Sequence, residues 1–258
     1  MTGQAYLQAL AAAALDLGAC SLRLLPVVAL SPFLGGPMLP PAARAALALT
    51  LGAVAQVALG AGFPAGRPFL AVAASELALG AVLGFVATLP VEAARGAGRL
   101  IDTLRGATLG ELHVAPIRQR ETAIGDLLSQ WTVVLAAWAG ADRLLIVALL
   151  DTYRVLPVGA AIDGTLRTAG AVTAAGELLS AALCLGAPAA AALLCADLAL
   201  SVASRLAPRS ALPDTAPPVR AALGIVAVAI PAAAIGGRLV EMAALSAGVV
   251  GRLTGGAP

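Results

Sequence analysis

Residues 69–104 decide the fold of this chain, and they read FLAVAASELALGAVLGFVATLPVEAARGAGRLIDTL. The run Leu77–Val91 inside this stretch contains no charged side chain. A helix crosses the hydrocarbon core of a bilayer with roughly 20 mainly apolar residues. We therefore predict one long helix that begins after Pro68, continues past Pro90 and ends near Leu104, with an apolar first half and a charged second half.

Runs without charged residues also occur on both sides of this helix. They span Leu24–Ala43, Ala45–Gly66, Leu127–Ala141, Leu178–Ala196 and Ala221–Gly237. Two of these runs are long enough by themselves to cross a bilayer, and the others reach that length if a charge at one end extends to the membrane surface. The alternating pattern of strands is absent. We expect an all-α, polytopic membrane-type protein with broken or kinked helices, built as a single domain over residues 1–258.

The composition excludes several classes of protein. Hydrophobic residues make up 60% of the 258 residues, charged residues only 12%, and the mean hydropathy is +0.94. A soluble domain carries about 25% charged residues. This composition excludes an ordinary soluble enzyme, a disordered chain and a nucleic-acid-binding protein. It leaves an integral membrane protein or a subunit buried in a larger assembly.

Residues that could carry catalysis are scarce. His113 is the single histidine, and the metalloprotease, serine-hydrolase and phosphate-loop motifs are missing. The three cysteines, Cys20, Cys184 and Cys195, lie in apolar stretches without the spacing of a metal site. We therefore predict no catalytic residue, no cofactor and no metal.

Small residues follow Glu76 along one face of the long helix. Gly80 and Gly84 lie four and eight residues after it, which places all three on the same side. Glycines at this spacing allow two helix backbones to approach closely. We predict that this face packs against another helix, in the same chain or in a partner.

The second half of the same helix carries four charges on one face. Glu92, Arg95, Arg99 and Asp102 are separated by three, four and three residues. Their charges could pair with one another along the helix surface, or they could contact a second helix.

Carboxylates interrupt several apolar runs, at Asp16, Glu76, Glu177 and Asp197. Burying a charge costs several kcal/mol unless it is paired. One interpretation is an ion pair with an arginine of another helix or a position at a helix end. The other is an ion or proton relay, as in a secondary transporter. Asp16 and Arg23 would be about 10 Å apart along one helix, too far for direct contact.

Several short motifs follow one another in a definite order along the chain. They are Arg23-Leu24-Leu25-Pro26, Ser31-Pro32-Phe33-Leu34-Gly35-Gly36, Glu76-xxx-Gly80-xxx-Gly84-Phe85, the run from Ala97 to Gly106, Pro116, Pro157-Val158-Gly159, Asp197-Leu198-Ala199-Leu200 and Ser204-Arg205-Leu206-Ala207-Pro208. This order resembles the FliR/SctT family, the export-gate subunits of flagellar and virulence-associated type III secretion systems. Within it, Pro157, Gly159, Asp197, Arg205 and Pro208 form the structural signature of the second half.

The resemblance implies an assembly role rather than catalysis. Such a protein is a non-enzymatic subunit of a conical hetero-oligomeric helical assembly in the bacterial inner membrane, within a secretion basal body. Its partners would be a FliP/SctR-like and a FliQ/SctS-like membrane protein, together with an FlhB/SctU-like switch protein. Unfolded protein substrates would pass through the assembled channel. The alternative is a secondary transporter that couples ions through Asp16, Glu76 or Asp197.

The resemblance also assigns two groups of site residues. The polar segment between the helices would be an inner loop that helps to plug the closed channel, with Gly106, Leu109, Gly110, Glu111, His113 and Pro116. The charges Glu92, Arg95, Arg99 and Asp102 would form inter-subunit or pore-facing contacts, and surface pairing within the helix remains the alternative.

Overall fold

The computed structural model describes residues 3–64, 66–104, 122–160, 164–206, 222, 224–226, 229, 235–242 and 244. In this part of the chain the elements are helices and the loops between them. The α-helices are α1 (Gly3–Leu30), α2 (Pro41–Leu59), α3 (Phe69–Leu104), α4 (Ala123–Trp138), α5 (Ala141–Val155) and α6 (Gly164–Leu206). The predicted all-α fold is confirmed, and α3 has the predicted bounds.

Four helical segments of the described residues are long and apolar enough to cross a membrane. They are Gln4–Leu30, Pro41–Leu59, Phe69–Leu104 and Leu179–Ala196, and the bent pair of α4 and α5 would make a fifth. The charge-free run Leu24–Ala43 does not form one helix, because α1 ends at Leu30, a turn follows, and α2 begins at Pro41. The predicted window Ala221–Gly237 lies mostly outside the described residues.

The turn after α1 is built from prolines and glycines. Two short 3-10 helices, Pro32–Leu34 and Gly36–Met38, follow each other. Gly35 between them has φ +90°, a left-handed conformation that glycine adopts without steric cost. Pro41 then begins α2 in its first turn, where a backbone N–H would have no partner within the helix and its absence is harmless. This turn chemistry ends α1 although no charge interrupts the apolar run.

The chain divides into two compact units. Unit 1 contains Met1–Leu89, Ala136–Gly176 and Ala244–Pro258, and unit 2 contains Pro90–Leu135 and Glu177–Ala243. The boundary within α3 lies at Pro90, the proline inside that helix. A single domain over the whole chain stays a prediction.

In unit 1, the glycine face of α3 lies directly against α1. A Cβ atom placed on Gly80 would collide with the carbonyl oxygen of Arg23 and lie 3.1 Å from Cδ of Pro26. A Cβ atom on Gly84 would lie 3.0 Å from the carbonyl oxygen of Pro26 and 3.1 Å from Cα of Val27. The two backbones are therefore in contact, with no room for side chains between them.

In unit 2, the second half of α3 meets the start of α4 in the same way. A Cβ atom on Gly98 would lie 2.5 Å from both Cα and N of Gly125. The apolar core around this contact contains Ala94, Ala97, Ile101, Ile124, Leu128, Ala189, Leu193, Ile235 and Leu239. Close backbone approach thus organises each unit.

We predict that Gly80→Ala destabilises the protein by about 1–3 kcal/mol, because the added methyl group meets a backbone oxygen that no side-chain rotation can move away. The matched control is Gly18→Ala in α1, where nothing lies within 4 Å of the added Cβ. Alanine there should stabilise the helix by about 0.5–1 kcal/mol. Thermal unfolding of the detergent-solubilised protein, followed by circular dichroism, measures both changes. Equal unfolding midpoints for the two variants would contradict the assigned packing.

Candidate functional site

A buried ion pair joins α1 and α3 in unit 1. Arg23 and Glu76 have side chains that are each only 1% exposed. The Nε atom of Arg23 donates to Oε2 of Glu76 at 2.7 Å, and Nη2 donates to Oε1 at 3.2 Å. This two-pronged arrangement is the strongest geometry that an arginine and a carboxylate can form.

Further groups surround the pair from α5 and the loop that follows it. Nη1 of Arg23 donates to Oγ1 of Thr152 at 3.1 Å, and Nη2 donates to the carbonyl oxygen of Leu156 at 2.9 Å. The guanidinium carbon lies 4.1 Å from the centroid of the Tyr153 ring, within range of a cation–π interaction. We call this group the Arg23–Glu76 cluster. It consists of Arg23, Glu76, Thr152, Tyr153 and Gly159.

Gly159 completes the cluster from the loop after α5. Its N–H donates to Oε1 of Glu76 at 2.8 Å, and its carbonyl oxygen accepts from Nη1 of Arg67. The residue has φ +73°, and a Cβ atom on it would lie 2.7 Å from Cγ of Pro64. Both the conformation and the space therefore require glycine.

The cluster balances its charge internally. Glu76 accepts hydrogen bonds from two N–H groups of Arg23 and from the N–H of Gly159. A charge buried in apolar surroundings is tolerated only when it is paired and hydrogen-bonded. The arrangement holds α1, α3, α5 and the following loop together. Using Glu76 as a proton or ion carrier would require breaking these bonds.

Asp16 also binds a neighbouring backbone group. Its Oδ1 atom accepts a hydrogen bond from the N–H of Phe63 at 2.7 Å, which ties α1 to the loop after α2. Four residues further along α1, the backbone oxygen of Cys20 accepts from the hydroxyl of Tyr153 at 2.6 Å. These bonds extend the same contact region along α1.

In unit 2, the four predicted charges of α3 have different surroundings. Glu92 and Arg95 form an ion pair three residues apart along the helix surface. Arg99 is exposed, whereas Asp102 is buried and accepts a hydrogen bond from the N–H of Ile124 at 2.8 Å. The four residues therefore differ in their exposure and in the contacts described here, although they lie on one side of the helix.

The model of a family described as bacterial export proteins, family 1, matches residues 15–244, most of the chain. The chain belongs to this family, the FliR/SctT family. The resemblance read from the motifs is thereby confirmed.

Two curated relatives illustrate the similarity of this FliR/SctT-family protein. It is 34% identical over 91 residues to the secretion system apparatus protein SsaT of Salmonella typhimurium, which is 35% of each chain. It is 29% identical over 150 residues to the Yop proteins translocation protein T of Yersinia pestis, which is 57% of this chain and 58% of the relative. The matched regions thus span from about a third to somewhat over half of these relatives.

Several residues singled out in this FliR/SctT-family protein lie outside the described residues. These are Pro208 and the whole predicted plug group of Gly106, Leu109, Gly110, Glu111, His113 and Pro116. Asp197 lies in α6, and Arg205 is exposed near the end of that helix. Cys184 and Cys195 of α6 are exposed, whereas Cys20 is buried. Among the described residues, no group of three or more His, Cys, Asp or Glu side chains could hold a metal ion.

Sequence reasoning singled out Gly159 but not Thr152 and Tyr153, the members of the Arg23–Glu76 cluster on α5. Thr152 lies 129 residues from Arg23, so no local spacing connects them. The available signal was Arg23 itself, since an arginine in an apolar helix requires a partner. That signal predicts a partner without naming it.

We predict that Arg23→Met destabilises the protein by about 3–5 kcal/mol, because it leaves Glu76 buried without its counter-ion. The double variant Arg23→Met/Glu76→Met should recover a large part of this loss, since it removes both buried charges. Urea unfolding in detergent, analysed as a double-mutant cycle, measures the coupling.

The control is Arg154→Met, which removes an exposed partner of Asp151 on α5. An exposed pair of this kind contributes about 0–1 kcal/mol. If Arg23→Met were no more costly than Arg154→Met, the cluster would not be what holds unit 1 together.

Proposed function

We propose that this chain is a non-enzymatic subunit of a type III secretion export gate in the bacterial inner membrane. With its partners it would form the channel through which unfolded proteins leave the cytoplasm. The match of residues 15–244 to the family of bacterial export proteins carries this proposal. The relatives are named as a secretion apparatus protein and a translocation protein, which supports the same role.

The geometry supports a structural rather than a catalytic role. The buried side chains of Arg23 and Glu76 and the partly buried side chain of Asp16 bind one another or backbone groups of neighbouring elements. They are used to hold helices together. A group already held in this way is not available as a nucleophile or base without breaking its bonds.

Apolar helix surface remains available for further contacts. Most of the apolar surface of two helices is not covered by the rest of the chain. Only 17% of the apolar 18-residue stretch of α2 is buried within the chain, and only 19% of the segment Leu179–Ala196 of α6. On α6 the exposed large side chains include Leu179, Leu183, Leu194, Leu198 and Val202. We propose that partner helices, a FliP/SctR-like and a FliQ/SctS-like protein, cover part of this surface, and that an FlhB/SctU-like protein joins the same assembly.

Partner contact can be tested with a photo-crosslinking amino acid on α6. At Leu194, which is 52% exposed, we expect covalent adducts with a smaller helical membrane protein of the secretion system. The adjacent Leu193 is 2% exposed within unit 2 and is the matched control, since a probe there points into the chain's own core. Mass spectrometry of adducts purified in mild detergent identifies the partner.

Recovery of the chain only as a monomer or homodimer, with both partners co-expressed, would argue strongly against the proposal. A secondary transporter is the second candidate, because carboxylates do interrupt the apolar helices. It requires uptake of a solute by the isolated chain in proteoliposomes, abolished by Asp16→Asn. Asp16 and Glu76 already serve backbone and arginine partners, so the geometry favours the export subunit.

We further propose, from the family resemblance, that the polar segment containing Gly106, Glu111 and His113 helps to plug the closed channel. Deleting residues 109–116 should then make the assembled complex leak small ions while the complex still forms. Single-channel conductance in planar bilayers measures the leak, and co-purification of the partners checks assembly. An unchanged conductance in a correctly assembled complex would remove the plug assignment.

A further inference from the structure

The start of α4 is capped by a residue from another helix. Thr122 is the N-cap, since α4 begins at Ala123 and the Thr122 carbonyl accepts from the N–H of Asp126 at 2.8 Å. An N-cap side chain ordinarily accepts from the second or third N–H of its own helix. The second N–H here is that of Ile124, and it donates to Oδ2 of Asp102 at 2.8 Å. Asp102 lies 22 residues earlier, in α3.

The local cap is present in the sequence but is not used. Thr122 is only 8% exposed, and its Oγ1 atom has no hydrogen-bond partner among the described residues. A threonine in this position is a good N-cap by itself. A bond from Thr122 would stabilise α4 alone, whereas the bond from Asp102 also ties α4 to α3.

Close packing allows Asp102 to reach α4. Gly98 lies one turn before Asp102, and a Cβ atom on it would lie 2.5 Å from the backbone of Gly125. A Cβ atom on Gly125 would lie 3.1 Å from the carbonyl oxygen of Arg95. The two glycines thus bring the helix backbones together at the level where the carboxylate meets the N–H.

The charge of Asp102 suits this position. The N-terminal end of a helix carries a partial positive charge, which a carboxylate complements. Hydrogen bonds from backbone N–H groups to a carboxylate are shorter and stronger than neutral ones. Asp102 is also buried, so solvent does not weaken the interaction.

We propose that Asp102 is a positioning residue that fixes the start of α4 to the end of α3. Its bond to Ile124, supported by the Gly98–Gly125 contact, holds Leu104 and Thr122 in register with each other. These are the described residues on either side of the polar segment 105–121. The role in holding the helices is independent of the proposed function, and only its consequence for export rests on that function.

Hydrogen exchange of the full chain in detergent tests the positioning role. Asp102→Ala should speed exchange in a peptide covering Thr122–Leu128 by roughly tenfold or more, because a bond to a charged acceptor is lost. Asp102→Asn keeps an acceptor oxygen and should restore most of the protection. Thr122→Ala is the matched control and should change exchange little, since its hydroxyl has no partner in the described part of the chain.

The outcomes separate the two possible caps. Unchanged exchange in Asp102→Ala, or an equal effect of Thr122→Ala, would overturn the proposal. Loss of protection that Asp102→Asn does not restore would also contradict it, since an acceptor at this position is what the proposal requires.

The consequence for export is measured separately, in cells that carry the complete secretion system. With normal levels of the assembled complex, Asp102→Ala should reduce substrate secretion severalfold and Asp102→Asn should restore it. Faster exchange with unchanged secretion would support the positioning role and overturn its link to export. Absence of the chain from any secretion complex would overturn the proposed function and leave the exchange result standing.

Discussion

The structure of unit 1 depends on compensation of the charge on Arg23. An arginine in an apolar helix is stable only when its guanidinium finds acceptors in the right directions. Glu76, Thr152 and the carbonyl of Leu156 supply them from three other parts of the chain. Because hydrogen bonds are directional, this requirement fixes positions that apolar packing alone would leave free to slide. The ion pair thus acts as a constraint on register.

A second compensation, at Asp102, follows the same physical logic in unit 2. In both cases a carboxylate of α3 accepts a hydrogen bond from a backbone N–H of a distant segment. The N–H of Gly159 donates to Glu76, and the N–H of Ile124 donates to Asp102. In both cases a glycine lies one helical turn away, Gly80 after Glu76 and Gly98 before Asp102. Each glycine lets a neighbouring backbone approach closely. One long helix therefore carries two carboxylate–glycine pairs, one in each unit.

Much of the fold was predictable from the sequence because prolines and glycines mark the helix ends. The bounds of α3 follow from Pro68 and from the polar residues after Leu104. Absence of charge alone does not mark a helix, since Gly35 and Pro41 turn the chain inside the charge-free run Leu24–Ala43. The partner of Glu76 could not be predicted, since periodicity within one helix gives no information on a second helix. Asp102 shares a face with Glu92, yet only Asp102 is covered by α4.

The long sequence separation of the Arg23–Glu76 pair bears on how the protein is made. Glu76 follows Arg23 by 53 residues, and Thr152 follows it by 129. At bacterial-scale synthesis rates of about 5–20 residues per second, Glu76 emerges some 3–10 seconds after Arg23. During that interval α1 carries an arginine whose acceptors have not yet been synthesised. An α1 that crosses a membrane would therefore enter it with an uncompensated arginine, unless it waits for α3 and the two helices enter together.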